Sequence, residues 1–579
     1  MAVNLPCLAV RGSNGLNIKN GPPAYTDVSA FTKDDGKSCK AMVFSPEGRY
    51  FSWISGPTIK IALCNTWQIV AVIQRPKVCG LQFTPQGTYL MTWEPFIISK
   101  ENPQGSPQLC IWKTENGELV KSFVQKRQSD WEPQWSNDEK LCGMLVNSDI
   151  LFYENADFER YVQKINVTKF GKFRIAPGNS PYHVLCYMPG KPGQPSFGKL
   201  FQYPKVEVSQ AVASKSFFQA DSVDIMWNDC GTSALVMTTM EVDKTGASYY
   251  GKQGLHFLSI KGDTAMVTLS EEGPIHALQW SPKGNEFCVV YGFMPSKTTL
   301  FNLKCEPVFE FGKKHRNSIY YNPSGNICLL GGFGNLSGDI ELWDMAKKKI
   351  IASETASDTT LLYWSPDGEH FMTATTAPRL RIANGYKIWH YSGTLLHENL
   401  WEKTAELWEV LWQRFPKNTF AEKPISYKAV EGITPSQPQA SKQVYRPPSA
   451  KAHTMTFNLH DLSDLPPKKA AKTPSKCAIK AKKKREAKKA KKELESVTEP
   501  NNDVATNGQE KPKNQTAAVD PDLTDDPEKN KVIKKIKSKL DQISKLKDKL
   551  SAGEQLEKNQ LDKIKTEDSL TKQLKELIL

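Results

Sequence analysis

The sequence has no long apolar run and no paired cysteines. None of its stretches approaches the roughly 18 consecutive apolar residues that a membrane-spanning helix needs, which excludes such a span. Residues 1–6 lack a charged segment followed by an apolar one, so we expect no secretory signal. The 12 cysteines occur singly from Cys7 to Cys477, without a C-x-x-C pair. This usage argues against a disulfide framework or a zinc site and predicts reduced thiols in a cytoplasmic protein.

Local motifs of enzymes are also missing. The 9 histidines form no H-E-x-x-H motif, and G-x-S-x-G does not occur. Gly36-Lys37-Ser38 resembles the end of a phosphate-binding loop, but Phe31 stands where that loop requires glycine. The glycine-rich residues 331–338 have the wrong spacing for a dinucleotide site and predict a hairpin turn. We therefore expect a binding scaffold with no metal and no cofactor. Catalytic residues gathered from several strands would leave no such motif, so an enzyme stays the alternative.

Charge and tryptophan are distributed unevenly along the chain. The net charge is +14, of which residues 431–579 carry +10 and residues 1–430 carry +4. All 14 tryptophans lie in the first part, the last being Trp412. A chain as polar as the second part cannot bury a large core. The sequence thus predicts a globular domain over residues 1–430, followed by a different kind of segment.

One phrase recurs through the first 430 residues: an apolar pair, an aromatic or large residue, then Ser, Thr or Asn with proline and glycine. Clear copies are residues 43–48, 278–284 and 362–368. The position after the aromatic recurs every 39 to 53 residues. It is occupied by Ser45, Thr84, Ser136, Ala176, Asn228, Ser281, Asn322, Ser365 and Gln413. A repeat of this length is typical of β-propeller blades.

Each repeat has the features of a short strand that ends in a tight turn. Proline presets φ for the turn, and glycine tolerates positive φ after it. Further short apolar runs follow, so we predict an all-β propeller of nine degenerate WD-type blades, although seven is the commoner number. Only Trp343-Asp344 keeps the Trp-Asp pair. We expect residues 7–20 to complete the blade that ends near residues 425–430, and the aromatics to pack between blades.

Two arginines, Arg379 and Arg381, precede Asn384-Gly385, which predicts a hairpin turn. Their guanidinium groups could bind phosphate or carboxylate, and both are candidate RNA- or ribosome-binding residues. An ion pair between blades is the alternative for each of them.

The positive charge is concentrated in a short run inside a linker, residues 431–528, that we expect to be disordered. Residues 468–492 contain 13 Lys or Arg and one acid, Glu486, a net charge of +12. We predict contact with RNA phosphate, without base readout, because no aromatic residue is interleaved. The candidate residues are Lys480, Lys482, Lys483, Lys484, Arg485, Lys488, Lys489, Lys491 and Lys492. A nuclear import signal and a merely solvated charge run are the alternatives.

Residues 529–579 return to a helical pattern. Ile533, Ile536, Leu540 and Ile543 recur at a spacing of three to four residues, and Ser551-Ala552-Gly553 interrupts the pattern before it resumes. We predict a helical hairpin or coiled coil. Its first helix carries Lys534 and Lys535, two further candidate contacts for RNA.

Several longer phrases resemble the family of eukaryotic translation initiation factor 2A. They are residues 243–251, 290–295, 332–336, 377–391, 445–448 and 555–561. The resemblance implies a nine-bladed propeller with a mobile tail that is linked to tRNA and mRNA binding. It also implies a single-chain factor that directs initiator methionyl-tRNA to the small (40S) ribosomal subunit on a subset of mRNAs, codon-dependently and without GTP. Partners would then be this tRNA, the small subunit, mRNA and other initiation factors. The alternative is a scaffold that makes protein contacts only, like the propeller component of initiation factor 3.

Overall fold

The computed structural model describes most of the first three-quarters of the chain. The described ranges are 5–35, 39–98, 105–124, 131–167, 171–191, 194–218, 220–240, 251–402 and 404–436, with eight single residues beyond them. The chain divides into two compact units, Met1–Val444 and Tyr445–Leu579. Each unit is described by itself.

The first unit is a β-propeller, and its described residues form nine antiparallel sheets, or blades. The strands of the N-terminal segment and of blades 1 to 3 are β1 (Cys7–Gly12), β2 (Gly15–Asn20), β3 (Met42–Phe44), β4 (Tyr50–Ser55), β5 (Thr58–Leu63), β6 (Ile69–Gln74), β7 (Gly80–Phe83), β8 (Tyr89–Trp93), β9 (Leu109–Lys113), β10 (Leu119–Phe123), β11 (Gln134–Trp135), β12 (Leu141–Val146), β13 (Asp149–Glu154) and β14 (Gln163–Asn166). Those of blades 4 to 6 are β15 (Lys172–Ile175), β16 (His183–Met188), β17 (Ser196–Gln202), β18 (Ala213–Phe217), β19 (Ser222–Trp227), β20 (Ser233–Met240), β21 (Lys252–Ser259), β22 (Thr264–Met266), β23 (Ile275–Trp280), β24 (Glu286–Tyr291), β25 (Ser296–Asn302) and β26 (Pro307–Lys314). Those of blades 7 to 9 are β27 (Ser318–Tyr321), β28 (Ile327–Gly331), β29 (Asp339–Asp344), β30 (Lys349–Thr355), β31 (Leu361–Trp364), β32 (His370–Thr375), β33 (Gly385–His390), β34 (Leu395–Leu400) and β35 (Leu407–Trp412). A single 3₁₀ turn, Val208–Gln210, lies between β17 and β18 in the described residues.

Blades 1 to 8 each contain four consecutive strands, starting with β3, β7, β11, β15, β19, β23, β27 and β31. Each of the nine positions picked out by the repeat directly follows the first strand of a blade, which confirms the predicted blade number. In the first copy the Ser45 amide donates to the carbonyl of Tyr50 (2.9 Å), and the Gly48 amide donates to the carbonyl of Ser45 (2.8 Å). Gly48 adopts φ of 69°, which a residue with a Cβ rarely does. The repeated phrase therefore encodes the turn from first to second strand.

The ring closes by pairing the two ends of the propeller. β1 lies antiparallel to β35, with Val10 opposite Val410. The prediction that residues 7–20 complete the last blade is confirmed. The prediction that this blade ends near residues 425–430 is wrong, because its strand from the C-terminal side of the propeller is Leu407–Trp412. Backbone bridges from Leu16 to Asp34 and from Lys19 to Asp27 place residues 27–34 beside β2, where a fourth strand would lie.

The repeat also makes the contacts between blades. Three first-strand tryptophans donate their indole N–H to a carbonyl in the first strand of the preceding blade, as Trp280 does to Met226 (3.0 Å). The other two are Trp227 to Arg174 and Trp364 to Tyr320. Side-chain amides at the position after the aromatic reach forward to the turn glycine of the next blade, and Gln413 to Gly48 (2.9 Å) joins blade 9 to blade 1. These aromatics thus pack between blades, as predicted.

After β35 the chain crosses to the outer edge of blade 8. Lys417 forms an ion pair with Asp229 of blade 5 (2.9 Å), and the Tyr427 hydroxyl donates to Asp344 of blade 7 (2.7 Å). The Ile433 amide donates to the carbonyl of Leu395 at the start of β34 (2.8 Å). Residues 413–436 are therefore held on the propeller without forming a strand.

Burial of two histidines makes the propeller sensitive to acid. Burial lowers the pKa of His256 and of His390 from 6.5 to about 4. In the unfolded chain both imidazoles are protonated below about pH 6.5, whereas in the folded protein they are protonated only below about pH 4. The unfolded state therefore binds more protons between these pH values, and the free energy of unfolding decreases as the pH falls through this window. The expected loss is about 2 kcal/mol for each histidine at pH 5.

Thermal unfolding at pH 7.5 and pH 5.0 measures this loss as a drop in Tm. His256→Leu should reduce the drop, since the imidazole that packs on Phe217 can no longer titrate. His315→Leu, at an exposed position, is the matched control and should leave the drop unchanged. Equal Tm values at the two pH values would contradict the prediction.

The second unit is described at eight residues, all helical: Ile536, Leu540, Ile543, Ser544, Lys547, Ser551, Glu567 and Thr571. Ile536 and Ile543 are buried, and Lys547 forms an ion pair with Glu567. The predicted linker and most of the predicted hairpin lie outside the described residues, so both stay predictions.

Candidate functional site

The meandering order of strands gives the propeller two distinct faces. The tight turns that follow the first strands lie on one of them, here called the turn face. The connections between second and third strands, and those between consecutive blades, lie at the opposite ends of the strands. We call this second side the loop face. Loops carried on a rigid β-scaffold are the usual place for recognition.

Three of the six phrases on which the family resemblance rests include connections on the loop face, namely residues 290–295, 332–336 and 377–391. The phrases at residues 445–448 and 555–561 lie outside the described residues. Residues 292–295, 332–338 and 376–384 connect the second and third strands of blades 6, 7 and 8. Residues 241–250 follow β20 of blade 5 in the sequence and lie outside the described residues. The glycine-rich stretch 331–338 forms the hairpin connection between β28 and β29, as predicted.

Residues 376–384, here called the arginine loop, are held by Asn384. Its side chain donates to the carbonyl of Leu380 (2.8 Å) and accepts from the amide of Leu407 (3.0 Å). The side chain is buried, with 4% of Asn384 exposed. The predicted Asn384-Gly385 hairpin turn is wrong, since Asn384 ends a longer loop and Ala383 takes the positive φ (52°). A buried amide clasping two backbone groups fixes the arginine-bearing segment in front of it.

The structure separates the two candidate arginines. Arg381 lies 3.5 Å from Glu406, which precedes β35, and its side chain is 70% exposed. Ion pairs this open contribute at most about 1 kcal/mol, so the predicted ion pair between blades exists but is weak. Arg379 is exposed and has no ion pair with any other described residue. A Cβ added to Gly334 would lie 2.8 Å from its Nη2 atom, which places this guanidinium against the neighbouring loop of blade 7.

The loop of blade 7 is clasped in the same way. Asn317 donates from its side chain to the carbonyl of Phe333 (2.8 Å), and the Phe333 amide donates back to the side-chain oxygen of Asn317 (3.0 Å). The Phe333 ring is buried. Gly334 and Asn335 are exposed just beyond it, and Gly334 adjoins Arg379. Blades 7 and 8 therefore present one continuous preformed surface.

The loop of blade 6 adds apolar groups to the loop face. The Gly292 amide donates to the carbonyl of Pro274 (3.0 Å), and its own carbonyl contacts Nε2 of His276 (2.8 Å). Phe293 and Met294 follow and are exposed, Phe293 by 58%. In the arginine loop Leu380 is partly exposed and Ile382 is 83% exposed. Sequence reasoning missed these four side chains, although apolar residues inside turn-rich phrases were the available signal.

The eleven candidate residues of the tail lie outside the described residues. They are Lys480, Lys482, Lys483, Lys484, Arg485, Lys488, Lys489, Lys491, Lys492, Lys534 and Lys535. They stay predictions that rest on the charge of the sequence.

The interior of the ring holds a cavity of about 410 Å³ between the first strands of blades 3 to 6. Arg174, Asp224 and His276 are among its lining residues. No group of three or more His, Cys, Asp or Glu in the described part of the chain is placed to hold a metal ion. In the same part, no helix is both long enough and apolar enough to cross a membrane.

The fold and the preformed loop face define a WD-type β-propeller. The chain matches the family model described as "Eukaryotic translation initiation factor eIF2A" over residues 215–410. It is 39% identical to eukaryotic translation initiation factor 2A of Drosophila melanogaster, over 99% of this chain and 98% of the relative. The chain therefore belongs to the eukaryotic translation initiation factor 2A family and is a translation initiation factor.

Two further similarities concern the propeller. A solved structure described as "Crystal structure of the eukaryotic initiation factor" matches with a TM-score of 0.65 and 30% identity, covering 72% of this chain and 100% of that chain. A component of eukaryotic translation initiation factor 3 from Xenopus laevis is 23% identical, over 66% of this chain and 55% of the relative.

Proposed function

We propose that this factor directs initiator methionyl-tRNA to the small (40S) ribosomal subunit, in a codon-dependent manner and without GTP, on a subset of mRNAs. In this proposal the tail holds RNA and the propeller docks on the initiation machinery in the cytoplasm. Membership of the initiation factor 2A family supports the general role. The delivery of the tRNA and the division of labour are inferences from charge and fold.

The observation that carries the proposal is that the positive charge is concentrated in the tail sequence and not in the propeller sequence. The nearly neutral propeller sequence carries +4 over 430 residues, whereas residues 468–492 carry +12. A run of this density binds phosphates by releasing their counterions, with affinity that depends on salt and little on sequence. Codon dependence would then come from pairing of the tRNA with mRNA on the subunit, not from the protein.

A loading assay tests the proposal. Labelled initiator methionyl-tRNA is mixed with purified small subunits, an RNA carrying an AUG codon and the full-length factor, with GTP omitted. We expect the factor to increase tRNA retained on the subunit at least tenfold. An RNA with a CUU codon in place of AUG is the control and should give no increase. Absence of factor-dependent retention would contradict the proposal.

A second candidate is a scaffold that acts through protein contacts only. The similarity of the propeller to a component of initiation factor 3 favours it. Nuclease treatment of ribosome-bound factor separates the two functions. If digestion of exposed RNA releases the factor, contact with RNA is needed; if the factor stays bound, the scaffold is favoured.

A further inference from the structure

We infer that the loop face of blades 6 to 8 is a docking surface for a protein segment that carries carboxylates beside apolar side chains. The surface consists of Phe293, Met294, Gly334, Asn335 and residues 379–382. The inference deepens the proposed function and rests on it, because it names the class of partner that the propeller would bind on the initiation machinery.

The positive charge of the surface favours a partner that carries an acidic group. Arg379 is exposed and has no ion pair with another described residue, and Arg381 has only the open contact with Glu406 among the described residues. In the sequence, Arg379 and Arg381 precede the exposed Ile382 by three residues and one residue. Arginine binds carboxylates through two parallel N–H groups, so a partner carboxylate can replace the weak contact with Glu406.

The exposed apolar side chains of the surface favour a partner that buries them. Ile382 and Phe293 are exposed by 83% and 58%, and Met294 and Leu380 stand beside them in the chain. Two pairs of large apolar side chains thus stand in solvent on the same face, and Phe, Met and Arg are enriched at protein interfaces. A partner must therefore supply apolar side chains as well as charge.

The surface is preformed, which reduces the entropy cost of binding. Asn384 fixes the arginine loop and Asn317 fixes the loop of blade 7. The end of the blade 6 loop is tied by Ser296 to the connection between blades 6 and 7, because its hydroxyl donates to the carbonyl of Arg316 (2.5 Å). Rigid loops hold their exposed groups in a fixed arrangement and so favour a specific partner.

The same face argues against RNA as the occupant. Three nearby cations already contact carboxylates: Lys313 pairs with Glu271 (2.7 Å), and Lys314 and Arg316 share Glu341. A phosphate backbone needs several unpaired cations in a row. An exposed arginine with apolar neighbours fits a protein segment better.

Site-specific photo-crosslinking tests the inference. Full-length factor with p-benzoylphenylalanine at position 382 is irradiated with native small-subunit particles, which carry their bound initiation factors. The same amino acid at position 303, an exposed apolar position between β25 and β26 on the turn face, is the matched control. We expect a polypeptide adduct from position 382 and at least tenfold less from position 303. Adding Arg379→Glu and Arg381→Glu should lower the yield from position 382 at least tenfold.

Every other outcome overturns the inference. An adduct to RNA from position 382 would show that the face binds nucleic acid, and a yield unaffected by charge reversal would show that the partner is not acidic. Cosedimentation of the factor with the particles, without an adduct from position 382, would overturn the docking surface and leave the proposed function standing. If the unmodified factor does not cosediment with the particles, both the docking surface and the proposed function are overturned.

A binding measurement with simple substitutions gives a second readout. Ile382→Asp should weaken binding to the particles at least tenfold, because it places a carboxylate where apolar contact is expected. Leu303→Asp makes the same chemical change at an exposed apolar position of the turn face and should leave binding within about twofold. Equal effects of the two substitutions would overturn the inference.

Discussion

Replacing the nine basic residues between Lys480 and Lys492 with glutamine is expected to weaken binding of initiator tRNA to the full-length factor by about 10³-fold at low salt. Each lysine or arginine that neutralises a phosphate releases a counterion, and nine such contacts dominate the affinity. The Tm of the propeller should not change, because residues 5–436 contain the described blades and none of these nine residues. Filter binding or gel shift with charged tRNA measures the effect.

The matched control is a variant in which residues 480–492 are permuted without a change in composition. Its affinity should stay within about threefold of the original, because counterion release depends on charge density and not on order. If the nine-glutamine variant binds tRNA as tightly as the original, the tRNA site lies elsewhere in the chain. If permutation alone abolishes binding, individual residues of the run make specific contacts.

Glu341→Ala is expected to destabilise the propeller by about 3–5 kcal/mol. Glu341 in β29 accepts from Arg316 and Lys314 and from the indole N–H of Trp343, and Arg316 is 3% exposed. Burial by itself raises the pKa of the Glu341 carboxyl, but the hydrogen bond from Lys314 and the charge of Arg316 hold it below its ordinary value. Removing the carboxylate leaves the buried Arg316 cation uncompensated between blades 6 and 7. Chemical unfolding by urea measures the loss.

Two companion variants isolate the cause of this loss. Glu310→Ala removes the exposed partner of Lys297 in blade 6 and should cost less than about 1 kcal/mol. Arg316→Met combined with Glu341→Leu removes both buried charges and should recover much of the lost stability, as apolar replacement of buried ion pairs often does. If Glu341→Ala lowers the free energy of unfolding no more than Glu310→Ala does, the buried ion pair does not stabilise the contact between blades 6 and 7.

The blades could be predicted from the sequence because each blade is specified locally. The turn after a first strand needs proline and glycine at fixed positions, and Ser45 to Gly48 satisfies this within four residues. The closing of the ring was predicted in part, since the repeat marks Gln413 after Leu407–Trp412 and residues 7–20 were expected in the last blade. The end of that blade near residues 425–430 was wrong, because the pairing of β1 with β35 joins residues about 400 positions apart and no local pattern shows it.

The candidate site was predicted only in part, for a similar reason. Arg379 and Arg381 could be picked out because their charge is visible in the sequence. What each guanidinium group lies against depends on Glu406 for Arg381 and on Gly334 for Arg379, which belong to other segments of the chain. The clasp by Asn384 was mistaken for a turn, because an Asn-Gly dipeptide is the usual signal for a hairpin and its long-range bond to Leu407 leaves no mark in the sequence.

Salt-dependent tRNA binding to the full-length factor and to residues 1–436 tests the division between propeller and tail most directly. The shorter chain is a fair comparison, since it contains the nine described blades and the pairing of β1 with β35 that closes the ring. We expect the logarithm of the full-length affinity to fall with the logarithm of salt concentration with a slope steeper than about −4, and residues 1–436 to show no binding over the same range. A slope near zero, or full affinity in residues 1–436, would contradict the proposed role of the tail.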